Sequence, residues 1–317
     1  MVRMHIREQV MQKNMYVISV LLLGWALPAP ASANVRIFAC EPEWAALARE
    51  IGGDKVTAYS ATHEKQDPHH IRARPSLIAK IRRADLVFCS GAGLEIGWLP
   101  ILMQRGAQSK VRAGTAGYFM AAQHLPIREI PAVVDRSMGD VHPDGNPHTH
   151  LDPQNIVRIA HELVKRLKII DPSNSAIFTK NLKRFDNEWA MNIKKWEIDA
   201  RELKNMPVIV HHKSWSYLIG WLGLREIGSL ESKPGIPPTA SHLQSLLKKA
   251  SAYKTRAILR TPYAQAAPSK WLAEKTNIHA LVLPFTVSRD AKPGALKKLF
   301  DDILKHLIQA NDQPRKP

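Results

Sequence analysis

Three histidine-containing segments are the parts of this sequence whose residue types and spacing could do chemistry. Residues 67–76 read Asp-Pro-His-His-Ile-Arg-Ala-Arg-Pro-Ser, residues 142–153 read His-Pro-Asp-Gly-Asn-Pro-His-Thr-His-Leu-Asp-Pro, and residues 208–217 read Val-Ile-Val-His-His-Lys-Ser-Trp-Ser-Tyr. A lone histidine is usually a core or surface residue, but three clusters indicate metal binding, because neutral imidazole is a good tetrahedral ligand for zinc. The sequence contains neither His-Glu-x-x-His nor Cys-x-x-Cys, which disfavours a zinc protease and a zinc finger.

The elements that must position these histidines alternate between strand and helix. In the first half of the chain, strands are predicted at 35–39, 55–60 and 86–89, and helices at 44–51, 75–84 and 94–104. The same alternation resumes from residue 208 and continues to about residue 307. This pattern predicts parallel sheets covered by helices. All three histidine clusters fall where a strand ends or a helix begins, which is where open α/β sheets bind their ligands.

A long helix is predicted between these two halves. Ser173 is a possible N-cap, and neither glycine nor proline interrupts the chain as far as Ala200. Its apolar residues recur at steps of three and four, which places them on one face: Phe178, Leu182, Phe185, Trp189, Ile193 and Trp196. We interpret this helix as a rigid connector, with an ordinary core helix of one domain as the alternative. The predicted domains are an N-terminal α/β lobe (34–172), a connecting helix (173–204), a C-terminal α/β lobe (205–311) and a tail (312–317).

Residues 1–33 have the pattern of a secretory signal peptide. Basic residues precede an apolar run from Met15 to Leu27, and Ala31-Ser32-Ala33 has the spacing that signal peptidase recognises. The apolar run is shorter than the roughly 20 residues that a membrane-spanning helix needs. We therefore predict cleavage after Ala33 and export to the periplasm.

The chain is strongly basic, with a formal net charge of +17. Such a charge raises the possibility of nucleic-acid binding. Its Lys and Arg residues are dispersed, however, and export would separate the protein from nucleic acid. We therefore interpret the charge as a solvated basic surface and predict a monomer without a nucleic-acid partner.

The sequence resembles the periplasmic zinc and manganese solute-binding proteins of ABC importers along essentially the whole exported part. The matching motifs include Ile-Gly-Gly-Asp at 51–54, Asp-Pro-His at 67–69, Gly-Asn-Pro-His at 145–148, His-Lys-Ser-Trp-Ser-Tyr at 212–217 and Lys-Pro-Gly-Ile-Pro-Pro at 233–238. The resemblance implies two α/β lobes joined by one long helix, with the metal in the cleft between them. It also implies a permease and an ATPase in the inner membrane as partners, and no enzymatic activity.

By this resemblance, the metal ligands fall on His69, His148 and His212. Manganese-binding members commonly have an acidic residue at the third position, so histidine there favours Zn²⁺ over Mn²⁺. The family often supplies a fourth ligand as an aspartate after the last strand, but this chain reads Leu-Pro-Phe-Thr-Val at 283–287. Water remains open as the fourth ligand, as do three side chains: His142, Glu231 and Asp290.

The histidines next to the proposed ligands are less favoured as ligands. Neighbouring residues of a strand point to opposite faces, so His211 and His212 should not both face the metal. The same argument makes His70 and His150 weak candidates.

The predicted function is therefore capture of Zn²⁺ and its delivery to an ABC-type importer. A manganese-binding member of the same family is the first alternative. A zinc-dependent hydrolase is the second, because three histidines and a water molecule are also a catalytic arrangement. A chaperone or adhesin-like role also remains open.

The two cysteines are expected to lie close together. Cys40 follows the first predicted strand and Cys89 ends the third. In the flavodoxin-like strand order 2-1-3-4 these strands are neighbours, about 4.8 Å apart. A disulfide and a pair of buried thiols are both compatible with this placement.

Overall fold

A computed structural model of the protein describes residues 34–133, 139–140 and 142–313. The predicted signal peptide lies outside the described residues, and so does most of the predicted tail. Among the described helices, none combines the length and the apolar character that crossing a bilayer would require.

The N-terminal lobe is built on a parallel sheet with strand order β2-β1-β3-β4. Its strands are β1 (Val35–Ala39), β2 (Val56–Ser60), β3 (Leu86–Cys89) and β4 (Tyr118–Met120). Its helices are α1 (Pro42–Gly52), α2 (Pro75–Arg82) and α3 (Leu99–Gly106). Each of these helices has proline in its first turn, where the missing N–H costs nothing and the fixed φ suits a helix. The third helix begins later than predicted, and β4 was not predicted.

The C-terminal lobe repeats this strand order as β6-β5-β7-β8, again all parallel. Its strands are β5 (Pro207–Val210), β6 (Arg225–Ser229), β7 (Ala257–Arg260) and β8 (His279–Val282). Its helices are α6 (Ser216–Leu222), α7 (Ala240–Ala252) and α8 (Ala266–Thr276). The prediction of two parallel-sheet α/β lobes is confirmed.

Two helices follow the N-terminal sheet: α4 (Pro153–Ile170), which packs against α1, and the longer α5 (Ser175–Asp199), which leads to the C-terminal lobe. The 25 residues of α5 correspond to about 37 Å of helix. Its buried face consists of Phe178, Phe185, Trp189, Ile193 and Trp196. These side chains occupy the predicted face and lie in one core cluster with residues of both lobes. Ser173 is not the cap, since its hydroxyl donates to Asp171 and the N-cap position is Asn174.

The last helix, α9 (Ala295–Asp312), packs against α5 and also against α1 of the N-terminal lobe. The segment before it is held to α1 by the Arg49 guanidinium, which donates to the carbonyls of Arg289 and Ala291. The end of the chain therefore contacts both lobes and resists their separation.

A disulfide joins Cys40 and Cys89 at the carboxyl ends of β1 and β3. These strands are neighbours, with Ala39 opposite Phe88. The two Cα atoms are 4.8 Å apart, within the range that a disulfide spans.

Candidate metal centre

His69 lies in the loop between β2 and α2, and Asp67 fixes its orientation. The Asp67 Oδ1 atom lies 2.7 Å from His69 Nδ1 and also accepts from the His69 backbone N–H. Burial alone would raise the pKa of Asp67, but hydrogen bonds and charge from His69 outweigh it and lower that pKa. A carboxylate on one ring nitrogen fixes the tautomer and leaves the other nitrogen, Nε2, free to bind a metal.

His148 precedes α4 and is buried, with 1 % of its surface exposed. Its backbone N–H donates to Asn146 Oδ1 at 3.0 Å. Neither of its ring nitrogens has a hydrogen-bond partner among the described residues. Because buried polar groups are nearly always satisfied, this pair of nitrogens indicates a position where a ligand binds.

His212 follows β5, and its ring is oriented by a carboxylate that follows the neighbouring strand, β6. Its Nδ1 lies 2.7 Å from Glu231 Oε2, and Glu231 comes shortly after β6. The Glu231 carboxylate also accepts from the Gly235 backbone N–H. Burial would raise the pKa of Glu231, but hydrogen bonds from His211 and His212 lower it to about 2. Both lobes therefore orient a histidine by the same acid–imidazole pairing.

His142 reaches the same point from the loop that follows β4. Its Nε2 atom is 3.1 Å from Nε2 of His69, and the two rings are stacked with centroids 5.1 Å apart. Two imidazole nitrogens this close, each without a carboxylate on that side, are placed to share one cation.

The four imidazoles form one compact cluster. One ring nitrogen each from His69, His142 and His148 lies within 4.8 Å of the others. The His212 ring lies 5.6 Å from that of His69 and 5.8 Å from that of His148, measured between centroids. A tetrahedral zinc ion with Zn–N bonds of about 2.0–2.1 Å would draw these rings slightly closer together.

Burial favours the neutral form of two imidazoles in the cluster, those of His142 and His148. Burial lowers the pKa of His142 to about 3, and repulsion from His69 and His212 adds to this. The same causes lower the pKa of His148 well below its ordinary value. Both imidazoles are neutral at neutral pH, which is the form that binds a metal.

A cleft of about 540 Å³ leads to the cluster and is lined by His142, His148 and His212. Its walls also carry four carboxylates: Glu129, Asp140, Glu226 and Glu231. Two lysines, Lys213 and Lys249, line the same cleft, fewer than the carboxylates, and the Lys213 ammonium is paired with Glu226 and Glu129. The approach to the site is therefore acidic although the whole chain is basic, and this favours entry of a cation.

The other histidines near the proposed ligands have different partners. His70 is exposed and lies 3.4 Å from Asp140. His150 is buried between the carbonyl of Phe285, which lies 2.9 Å from its Nε2, and the Glu43 carboxylate. His211 lies beside Glu231.

The three candidates for a fourth ligand lie at different positions relative to the imidazole cluster. His142 belongs to the imidazole cluster, whereas Glu231 lies on the Nδ1 side of His212. Asp290 is exposed, and its negative charge interacts with the Arg49 guanidinium rather than with the imidazole cluster. Where the family often has an aspartate, Phe285 packs its ring edge-on against His148 at 5.4 Å.

Sequence reasoning missed the orienting role of Asp67 and Glu231. A signal existed for Asp67, since an acid two residues before a histidine can fold back onto its ring. No local signal existed for Glu231, because its partner is 19 residues away and the two meet only through strand pairing.

Two α/β lobes on a long helix, with a histidine cluster between them, define a metal-binding substrate-binding protein of the ABC-transporter type. The chain belongs to the family described as zinc-uptake complex component A, periplasmic (ZnuA), whose model matches residues 37–310. This family consists of solute-binding proteins rather than enzymes, which confirms that prediction and removes the hydrolase alternative. Membership also implies a transporter partner and a location facing the outside of the cell.

The names of similar proteins and structures also refer to metal-binding proteins of this kind, but they mention different metals. The chain is 22% identical over 277 residues to the manganese ABC transporter substrate-binding lipoprotein PsaA of Streptococcus anginosus, covering 84% of this chain and 85% of the relative. It is similar in fold to a zinc-bound ZnuA lacking residues 138–173 of its own chain, with a TM-score of 0.73, 22% identity, and 89% and 100% of the two chains covered. A further ZnuA crystal structure gives a TM-score of 0.71 at 21% identity, covering 88% and 100%.

Proposed function

We propose that the protein captures Zn²⁺ with His69, His142, His148 and His212 and passes it to an ABC importer. The observation that carries this proposal is His148. Its imidazole is buried, its two ring nitrogens have no hydrogen-bond partner in the part of the chain that the structure describes, and three further imidazoles surround it. A bound cation would satisfy this arrangement.

The ligand set supports zinc over manganese. Manganese prefers carboxylate, carbonyl and water oxygens, whereas imidazole suits zinc. The two carboxylates that contact the proposed ligands, of Asp67 and Glu231, are engaged by the Nδ1 atoms of the histidines that they orient. The names of several relatives refer to manganese, so the metal must be measured on this chain.

The remaining parts of the proposal concern where the protein works. Residues 1–33 would direct export and be removed after Ala33, releasing the protein into the periplasm as a monomer. A membrane permease and its ATPase would receive the metal. We also propose that the lobe boundaries follow the sequence assignment, with residues 173–204 between lobes of residues 34–172 and 205–311.

Calorimetric titration of the metal-free protein tests the metal assignment. We expect one Zn²⁺ per chain and much weaker binding of Mn²⁺. Four ligands that share about 10–16 kcal/mol of zinc binding contribute roughly 2.5–4 kcal/mol each, so His148→Ala should lose about a hundredfold or more in affinity. His70→Ala is the matched control, because His70 lies next to a proposed ligand but is exposed, and it should bind like wild type.

Two results would contradict the proposal. One is preferential binding of Mn²⁺ by the wild-type protein at neutral pH. The other is wild-type zinc affinity in both His148→Ala and His142→Ala.

A further inference from the structure

A second group of metal-ligating side chains lies at the carboxyl ends of β1 and β3. It consists of Cys40, Cys89, Glu95 and Glu41, all of them buried. One donor atom each from Cys40, Cys89 and Glu95 lies within 4.8 Å of the others. The four histidines of the metal centre are not part of this group.

The two carboxyl groups meet at the residue that follows Cys89. The Ser90 backbone N–H is 2.8 Å from Glu95 Oε1 and 3.1 Å from Glu41 Oε2. The Gly91 N–H also donates to Glu95. The chain after β3 therefore holds both carboxyl groups beside the cysteine pair.

One carboxylate oxygen of this group has no donor. Glu41 Oε1 is buried and accepts no hydrogen bond from the described residues. Burial raises the pKa of both Glu41 and Glu95, and each carboxyl group acts on the other. The Glu41 carboxyl group therefore has one oxygen open to a further ligand beside the cysteine pair.

We propose that, when the disulfide is reduced, Cys40, Cys89 and Glu95 form a second metal site for a thiophilic divalent cation such as Zn²⁺ or Cd²⁺. Glu41 adjoins these donors through the Ser90 N–H that it shares with Glu95. This site differs in chemistry from the histidine cluster, because thiolates select soft metals. It would make metal binding in the N-terminal lobe depend on redox state.

The chemistry balances with a dithiol as the reductant. Its thiolate attacks one cysteine sulfur, the S–S bond breaks, and a second exchange releases the reductant as a cyclic disulfide. Two electrons and two protons pass to the protein, which then carries two thiols. The metal displaces both thiol protons and any proton on Glu95. The two thiolates balance its double charge, and the Ser90 and Gly91 N–H groups stabilise the remaining charge of the Glu95 carboxylate.

The geometry requires the two sulfurs to move apart once the bond between them is reduced. They are about 2.05 Å apart in a disulfide, whereas a tetrahedral zinc ion with bonds of about 2.0–2.3 Å separates its donor atoms by roughly 3.3–3.8 Å. The carboxylate of Glu95 lies within 4.8 Å of both sulfurs. A cavity of about 810 Å³ is lined by Glu95, Gly91 and Met120 and gives the metal access from the side of the carboxylate.

Titration of the zinc-loaded protein with Cd²⁺ tests this proposal. Loading keeps the histidine cluster occupied, and oxidised and dithiol-reduced samples are compared after the reductant is removed. The reduced sample should bind one additional Cd²⁺ and develop the ultraviolet charge-transfer absorption of cadmium thiolates. The oxidised sample should do neither.

Variants separate the second site from the first. Cys40→Ser/Cys89→Ser should abolish the additional Cd²⁺, and Glu95→Gln should weaken it at least tenfold, while one Zn²⁺ stays bound in each. His148→Ala should leave the cadmium thiolate signal in place, so failure of the proposed function would not imitate failure here. The proposal is wrong if the reduced protein shows no thiolate signal, or if reduction unfolds it in the presence of Cd²⁺.

Discussion

The N-terminal and C-terminal lobes share one strand order but contribute unequally to the metal centre. Among the described residues, the N-terminal lobe contributes His69, His142 and His148, and the C-terminal lobe contributes His212. The N-terminal sheet is also the better buried, since β3 is buried throughout while β6 and β8 are mostly half-buried or exposed. The disulfide is in the N-terminal lobe as well. Repetition of a fold therefore does not repeat its function: one lobe assembles the site and the other completes it.

The largest expected effect is the loss of folding stability when the disulfide of the N-terminal lobe is removed. Cys40→Ser/Cys89→Ser opens a link with a sequence separation of 49 residues, and chain entropy predicts a loss of about 4 kcal/mol in the free energy of unfolding. Urea denaturation of the metal-free proteins measures it. An unchanged midpoint would mean that the disulfide does not distinguish the two lobes in stability.

The next effect concerns the single ligand of the C-terminal lobe. If His212→Ala lowers zinc affinity a hundredfold, the stabilisation by saturating zinc falls by about 2.7 kcal/mol. Thermal unfolding with and without zinc measures this difference. His242→Ala is the matched control, because His242 lines the same cleft but lies against the Ser229 carbonyl. Equal zinc protection in all three proteins would show that the C-terminal lobe supplies no ligand.

A smaller effect tests whether the two lobes orient their histidines in the same way. Asp67→Asn and Glu231→Gln each replace the carboxylate on a histidine Nδ1, and such changes typically cost about ten- to a hundredfold in metal affinity. Competition with a chromophoric chelator measures both variants. A loss of metal affinity in only one of the two variants would show that the lobes do not orient their histidines in the same way.

The smallest effect is a pH dependence of the metal-free protein. The pKa values of His142 and His148 are lowered in the folded state, so the unfolded state binds protons first as the pH falls. Stability should therefore decrease below about pH 7, by about 0.4 kcal/mol for each imidazole at pH 6.5. Denaturation midpoints between pH 7.5 and 6.5 measure the slope, and stability that rises on acidification would contradict it.

Much of the fold could be predicted from the sequence because its pattern is local. The strands predicted at 35–39 and 86–89 coincide with β1 and β3. The periodic apolar face of α5 is buried as its spacing predicts. The short strand Tyr118–Met120 was missed, because three residues carry no recognisable alternation.

The site was harder to predict because its members come from distant parts of the chain. Resemblance selected His69, His148 and His212, and the structure brings their rings together. The arrival of His142 beside His69 depends on the loop after β4, whose path has no local signature. The buried carboxyl groups of Glu41 and Glu95 meet only because β1 and β3 are neighbours.

The central claim, a cation bound by four imidazoles from both lobes, is tested most directly by X-ray absorption spectroscopy at the zinc edge of the zinc-loaded protein. We predict four nitrogen donors at about 2.0–2.1 Å, with the outer-shell scattering of four imidazole rings. The His142→Ala protein should show three imidazoles and one light-atom donor. A wild-type spectrum with two or fewer imidazoles, or with a shell of five or six oxygen donors, would contradict the account.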